Sequence, residues 1–191
     1  MSSRRLTTVA AAAVVAATFA GCYKGSAHAV SLAEVERQPG WVLVSGVRVI
    51  RQTSAHDCGA AALAMVLEHW GIPDAAPRIR RAVLARQGHG LPAGGLRDFA
   101  RQQGLQAYLI SGVPADLTRE VQQDRPVLVG LMQRYGGKQA YAHYEVVAGL
   151  NPRSRRVLLL DPGRGLREDG LDTFVTEWED AGRLAIVVAP S

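Results

Sequence analysis

The sequence predicts an α+β domain in which helices come first and an antiparallel sheet follows. Two observations carry this. Between Asp57 and Gln103 the apolar residues recur at helical spacing, whereas from Gln106 onward they gather into runs of strand length. Those later runs are joined by short loops such as Asn151-Pro152-Arg153-Ser154, which suit an antiparallel sheet better than a doubly wound parallel one. With 191 residues, 48% of them hydrophobic, the chain can bury one ordinary core behind a leader. Charged residues make up 20%, and there is no internal repeat or low-complexity tract, which argues against disordered and fibrous classes.

The first residues have the layout of a secretory signal: Arg4 and Arg5, an uncharged run from Leu6 through Ala20, then Gly21 and Cys22. The run is about fifteen residues, short of the roughly twenty that a spanning helix needs. Cleavage is therefore the expectation. Phe19-Ala20-Gly21-Cys22 resembles the lipobox of bacterial lipoproteins, in which the cysteine sulfur carries a lipid before the cut. That resemblance implies a signal peptide over residues 1–21 and lipidation of Cys22. The product is an exported protein, lipid-anchored to a bacterial membrane and facing the periplasm. Residues 22–40, with Gly25, Ser26 and Pro39-Gly40, read as a tether, and residues 41–191 as the domain.

Val42, Val44, Val47 and Val49 alternate about Ser45-Gly46, predicting a bent strand or small hairpin that leads to Gln52. Leu63, Val66, Leu67 and Trp70 then form one helical stripe, stopped by Gly71 and Pro73. Asp57 is suited to cap that helix by accepting from first-turn amides, which makes Cys58 the first helical residue. Helices follow over about 76–86 and 95–103, the latter closed by Gly104. Next come an apolar run over 106–110, a short helix over 115–123 and a strand over 127–132. Further strands are expected over 144–150, 156–160 and 184–188, with a helical turn or two over 171–178 before the last.

The formal net charge of +5 drops by two, to +3, once the leader with Arg4 and Arg5 is gone. The densest basic stretch, Arg78-Ile79-Arg80-Arg81 with Arg86 beyond, has apolar residues at helical spacing and no aromatic partners, so it reads as a solvated helix face and not a nucleic-acid site. Two cysteines and scattered histidines offer no four-ligand set, so neither a metal nor an organic cofactor is implied.

Two cysteines in an exported chain would ordinarily suggest a disulfide. If Cys22 carries a lipid, Cys58 is a lone thiol, and the first turn of a helix supplies partial positive charge that favours a thiolate. Gly59 and Ala60-Ala61-Ala62 keep the following turn thin, leaving room for a substrate carbonyl. On these grounds alone Cys58 reads equally well as a small buried hydrophobe. Five histidines compete as its base. His28 lies in the tether, His56 is too near in sequence, His69 is about three turns down the same helix, and His89 sits between glycines. His143 opens an apolar strand and can project from a sheet edge. Asp161, before Pro162-Gly163, could orient that imidazole, although alone it reads as a turn residue.

Gln52, Asp57-Cys58-Gly59, the helix to Trp70-Gly71, Gly94-Gly95-Leu96 to Gly104-Leu105, Pro126-Val127, His143-Tyr144-Glu145-Val146-Val147, Asp161-Pro162 and Phe174 to Trp178 occur in an order and at intervals that resemble the double-glycine leader peptidases. These are the papain-like domains of bacteriocin-exporting ABC transporters. The resemblance implies a papain-like fold, with Cys58 as nucleophile, His143 as general base and later acid, Asp161 as its orienter and Gln52 as the side-chain donor of the oxyanion hole. It also implies a peptide or protein substrate and a thioester intermediate. The chain has no transmembrane bundle and no phosphate-binding Gly-rich loop with Lys, so a free-standing peptidase is expected. An amidase or transpeptidase of the same fold is the first alternative, and a non-catalytic peptide-binding lipoprotein the second.

Overall fold

The structure is a computed structural model that describes residues 25–84, 91–134 and 140–191. The expected leader, its Cys22 lipidation site and His89 lie outside the described residues. The elements are β1 (His28–Ala29), α1 (Leu32–Glu36), β2 (Val42–Leu43), α2 (Cys58–His69), α3 (Ala75–Ile79) running into a π-helical turn (Arg80–Leu84), α4 (Ala93–Gln102), β3 (Gln106–Ser111), α5 (Pro114–Gln122), β4 (Val127–Arg134), β5 (Ala140–Asn151), β6 (Arg156–Asp161), β7 (Gly165–Gly170), α6 (Leu171–Asp180) and β8 (Leu184–Ala189).

The sheet runs β1-β7-β6-β5-β4-β8-β3, with β2 added to the far end of β5, and all its pairings are antiparallel. The expected α+β, papain-like architecture is the one observed. Strand alternation sends Val146 and Ala148 of β5 to one face, where they meet Leu63, Val66 and Leu67 of α2. Val147 goes to the other face, against Leu117 of α5 and Phe174 and Trp178 of α6. Residues Cys58 through Leu67 of α2 are all buried, so this helix is wrapped on every side by the sheet, α3 and α4. That burial fixes where its first residue lies.

Four expectations are corrected. The Val42–Val49 hairpin reduces to the two residues of β2, extended by one hydrogen bond from Val44 N to Ala148 O at 2.8 Å. The helix expected over 76–86 starts at Ala75 after a left-handed Asp74 and loosens into the π turn. Strand β7 was not expected, because Arg167-Glu168-Asp169 show no apolar alternation; they are nevertheless buried. The stretch read as a tether carries more than spacing. His28 and Ala29 pair with Glu168 and Arg167 of β7, and α1, closed by a Ser31–Glu34 capping box, buries Val35 completely. No helix among the described residues is long and apolar enough to cross a membrane.

Candidate active site

Cys58 begins α2, as expected, and is nine-tenths buried. Asp57, however, does not cap the helix with its side chain. Its buried carboxylate turns back instead and accepts from Thr53 N, Ser54 N and Thr53 Oγ1 at 3.2, 2.9 and 2.8 Å, and from Arg80 Nη1 at 2.8 Å. Burial pushes this carboxyl up, but the bonds from Ser54, Thr53 and Arg80 outweigh it and hold the group below the usual carboxylate range. The result is a fixed loop from Thr53 to Asp57 that delivers Cys58 to the helix start. Arg80, expected on a solvated face, is part of that support.

Gly59 also has a different role from the one expected. A Cβ there would lie 3.0 Å from Tyr144 Cδ2, 3.2 Å from Leu96 Cδ1 and 3.3 Å from Leu91 Cβ. Its missing side chain lets α2 approach β5 and α4 closely, which is a packing role and not the clearing of space for substrate.

His143 is brought by β5 to the sulfur and by β6 to a carboxylate. Its Nε2 lies 2.9 Å from Asp161 Oδ1, and its ring lines the same cavity as Cys58. Burial lowers the imidazole's basicity, but the bonds to Asp161 and Cys58 and the nearby Glu145 charge prevail, and the group is pushed up to about 10. Asp161 Oδ1 also accepts from Gly163 N at 2.7 Å, while Oδ2 accepts from Arg164 Nε at 2.6 Å and Arg167 Nη1 at 2.9 Å. Burial opposes its ionisation, yet His143, Arg164 and the Gly163 amide hold Asp161 well below the usual carboxylate range.

Gln52 lies beside this pair. Its backbone N donates to Pro162 O at 3.1 Å, and a Cβ on Gly163 would sit 3.3 Å from Asp161 Oδ1 and 3.6 Å from Gln52 Oε1. Its side-chain Nε2 donates to Ser54 O at 3.0 Å, within the loop that precedes Cys58.

A cavity of about 380 Å³ opens beside Cys58 and His143, walled by Leu131, Met132, Tyr144 and Leu184 among others. His56, set aside as too near in sequence, lines it as well. The Tyr144 hydroxyl donates to Leu91 O at 3.1 Å, and burial together with Cys58 pushes it up to about 12. The residues missed in the sequence lie behind His143. Glu145, fully buried, accepts at Oε1 from Gln133 Nε2 at 2.6 Å and from Arg167 Nη1 at 2.9 Å. A Glu interrupting the apolar run two residues after the candidate base was the available signal.

His143, Glu145 and Asp161 place possible ligand atoms within 4.8 Å of one another. The set does not suit a cation. Arg167 and Arg164 already stand against both carboxylates, and the His143 Nε2 that would ligate faces Asp161.

Comparison with known proteins agrees with this fold. The lactococcin-G-processing and transport ATP-binding protein LagD of Lactococcus lactis subsp. lactis is 25% identical over 131 residues, 69% of this chain and 18% of that protein. The chain thus spans less than a fifth of that relative's length. The peptidase domain of Streptococcus ComA, a bi-functional ABC transporter involved in a quorum-sensing pathway, has a TM-score of 0.62 at 25% identity, over 76% of this chain and 99% of that one. A double glycine motif protease from an AMS/PCAT transporter, solved with a leader peptide, shares the fold with a TM-score of 0.59 at 22% identity, covering 78% and 98%. The model of the Peptidase C39 family matches residues 46–191, a range that includes Gln52, Cys58, His143 and Asp161. The chain belongs to the Peptidase C39 family, whose members are cysteine-type peptidases.

Proposed function

We propose that the protein hydrolyses a peptide bond through a thioester on Cys58, with His143 moving the protons and Asp161 holding the imidazole. The observation that carries this reading is that one imidazole is bonded to the Asp161 carboxylate and shares a cavity with Cys58 at the start of α2. Because Nε2 is committed to Asp161, Nδ1 is the nitrogen left for the sulfur.

In the first half-reaction the Cys58 thiolate forms a C–S bond to the substrate carbonyl carbon, and the carbonyl electron pair moves to oxygen. The Gln52 amide and the Cys58 backbone N–H are the donors to that oxyanion, a contribution of about 3 kcal/mol per donor in comparable sites. Collapse breaks the C–N bond, and His143 gives its Nδ1 proton to the leaving amine. The neutral imidazole then takes a proton from water as the water oxygen attacks the thioester. Collapse of this second intermediate breaks the C–S bond and releases the acid, leaving sulfur as the thiolate and His143 with the proton it took from water.

The substrate is a peptide or protein, met in the periplasm once the leader has exported the chain. The lipid anchor at Cys22 belongs to the same proposal, and radiolabelled fatty acid incorporated by the wild type but not by a Cys22→Ala variant supports it. Peptide mixtures incubated with wild type, Cys58→Ala and His143→Ala and analysed by mass spectrometry test the chemistry. New termini produced by the wild type alone are expected. Products carrying an added competing amine would instead indicate a transpeptidase. Iodoacetamide labelling of Cys58 at mildly acidic pH that is no faster than that of a free thiol, with no peptide cleaved, would indicate a binding module.

A further inference from the structure

Behind His143 the side chains close into a ring. Asp161 Oδ2 accepts from Arg164, and Arg164 Nη2 donates to Gln133 Oε1 at 2.6 Å. Gln133 donates to Glu145, and Arg167 donates to both Glu145 and Asp161, completing the circuit. Glu145 is fully buried and the Arg167 side chain is 3% exposed. Burying an isolated carboxylate is costly, so its retention at this position calls for a counter-charge. Burial and the Asp161 charge push the Glu145 carboxyl up, against the pull of Arg167, His143 and Arg164; with both carboxylates ionised, the ring carries two negative and two positive charges.

The titratable and charged groups around His143 are Cys58 of α2, Asp161 of β6, Glu145 of β5, and Arg164 and Arg167 of the β6–β7 hairpin, while His56 lines the cavity in front. Glu145 Oε1 is 3.9 Å from His143 Nε2. Without the Glu145 charge, Arg167 would act on Asp161 uncompensated.

We propose that Glu145 is a positioning residue: its buried charge cancels that of Arg167 and leaves Asp161 free to stabilise the His143 imidazolium. Arg164 opposes it, so the net charge of the ring tunes how tightly His143 holds its proton. This rests on the Cys58–His143 pair proposed above.

The test is the rate of iodoacetamide alkylation of Cys58 against pH, followed by mass spectrometry of its peptide, which needs no substrate. An ion pair gives two steps, the upper one reporting loss of the imidazolium proton. A single step at the pH of a free thiol sinks the paired-site reading itself. Given two steps, Glu145→Gln, whose Oε1 can still accept from Gln133 and Arg167, is expected to move the upper step down by about one pH unit, a tenfold change in proton affinity. Arg164→Gln, at a side chain 32% exposed, is expected to move it up. Thermal melts run in parallel identify a merely structural role, in which stability falls and the step stays. An unmoved step in folded Glu145→Gln overturns the proposal. Should that variant not fold, an unmoved or lowered step in Arg164→Gln overturns it.

Discussion

Arg80 reaches from the π-helical turn to Asp57 at 2.8 Å, so the residue before the candidate nucleophile is held by a different helix. Asp57 accepts four further contacts or shares of contacts from Thr53 and Ser54 and is fully buried. Asp57→Ala would strand the Thr53 and Ser54 amides and take from Arg80 its counter-charge, leaving it the Thr53 hydroxyl. The expected loss is about 3–5 kcal/mol, as for breaking a buried pair. Chemical denaturation measures it, and a loss under about 1 kcal/mol would show that the loop is held by other means.

Gly59→Ala tests the close approach of α2 to β5. The added methyl meets Tyr144, Leu96 and Leu91 at 3.0–3.3 Å, and Tyr144 directly follows His143 in the strand. Overpacking of this kind costs about 1–3 kcal/mol. Because Tyr144 must shift to relieve it, alkylation of Cys58 is expected to slow together with the fall in melting temperature. A variant that loses stability with unchanged Cys58 reactivity would separate packing at Gly59 from the site.

The two halves of the site differed in how legible they were. Cys58 could be placed because a polar cap residue, a small-residue turn and an apolar stripe agree on a helix start, and the structure puts it there. His143 and Asp161 each flank an apolar run, and those two runs pair in the sheet, but it is the family resemblance and not the runs that implies their roles. Glu145 left one local trace, a charge inside an apolar run, whereas nothing local marks Arg164 or Arg167; the burial of Glu145 and Arg167 comes from strand pairing across β5, β6 and β7. Asp57 shows the same limit. Its residue type suits an N-cap, but the nearby Thr53, Ser54 and Arg80 compete successfully for its oxygens. Residues 28–36 hid their structure because two residues of strand and five of helix are too short to carry a period.

Those residues make a prediction of their own. Removing residues 25–37 takes away the Val35 side chain, the Ser26–Asp169 hydrogen bond and the β1 pairing, and exposes β7 as an edge strand. Burial of one valine and a few hydrogen bonds are together worth about 3 kcal/mol, so a fall of roughly 6–12 °C in Tm is expected. Light scattering should also rise, since the new edge can pair between molecules. A truncated chain that melts with the full one and stays monomeric would mean that this stretch is a passive spacer after all.

His143 links the site to stability through pH. Its folded-state value of about 10 lies above the ordinary histidine value of 6.5, so the protonated ring is bound more tightly in the folded chain. The sign follows directly. The contribution is complete below the unfolded value and is lost as pH rises through about 10, because above that both states release the proton. His143→Gln lacks this contribution at every pH. The difference in unfolding free energy between wild type and His143→Gln should therefore be largest near pH 6 and shrink steadily toward pH 10. Denaturation curves for both proteins across that range measure it. A difference that stays constant with pH would mean that the imidazole is not held as a cation between Cys58 and Asp161, and the proposed proton transfer to the leaving amine would lose its donor.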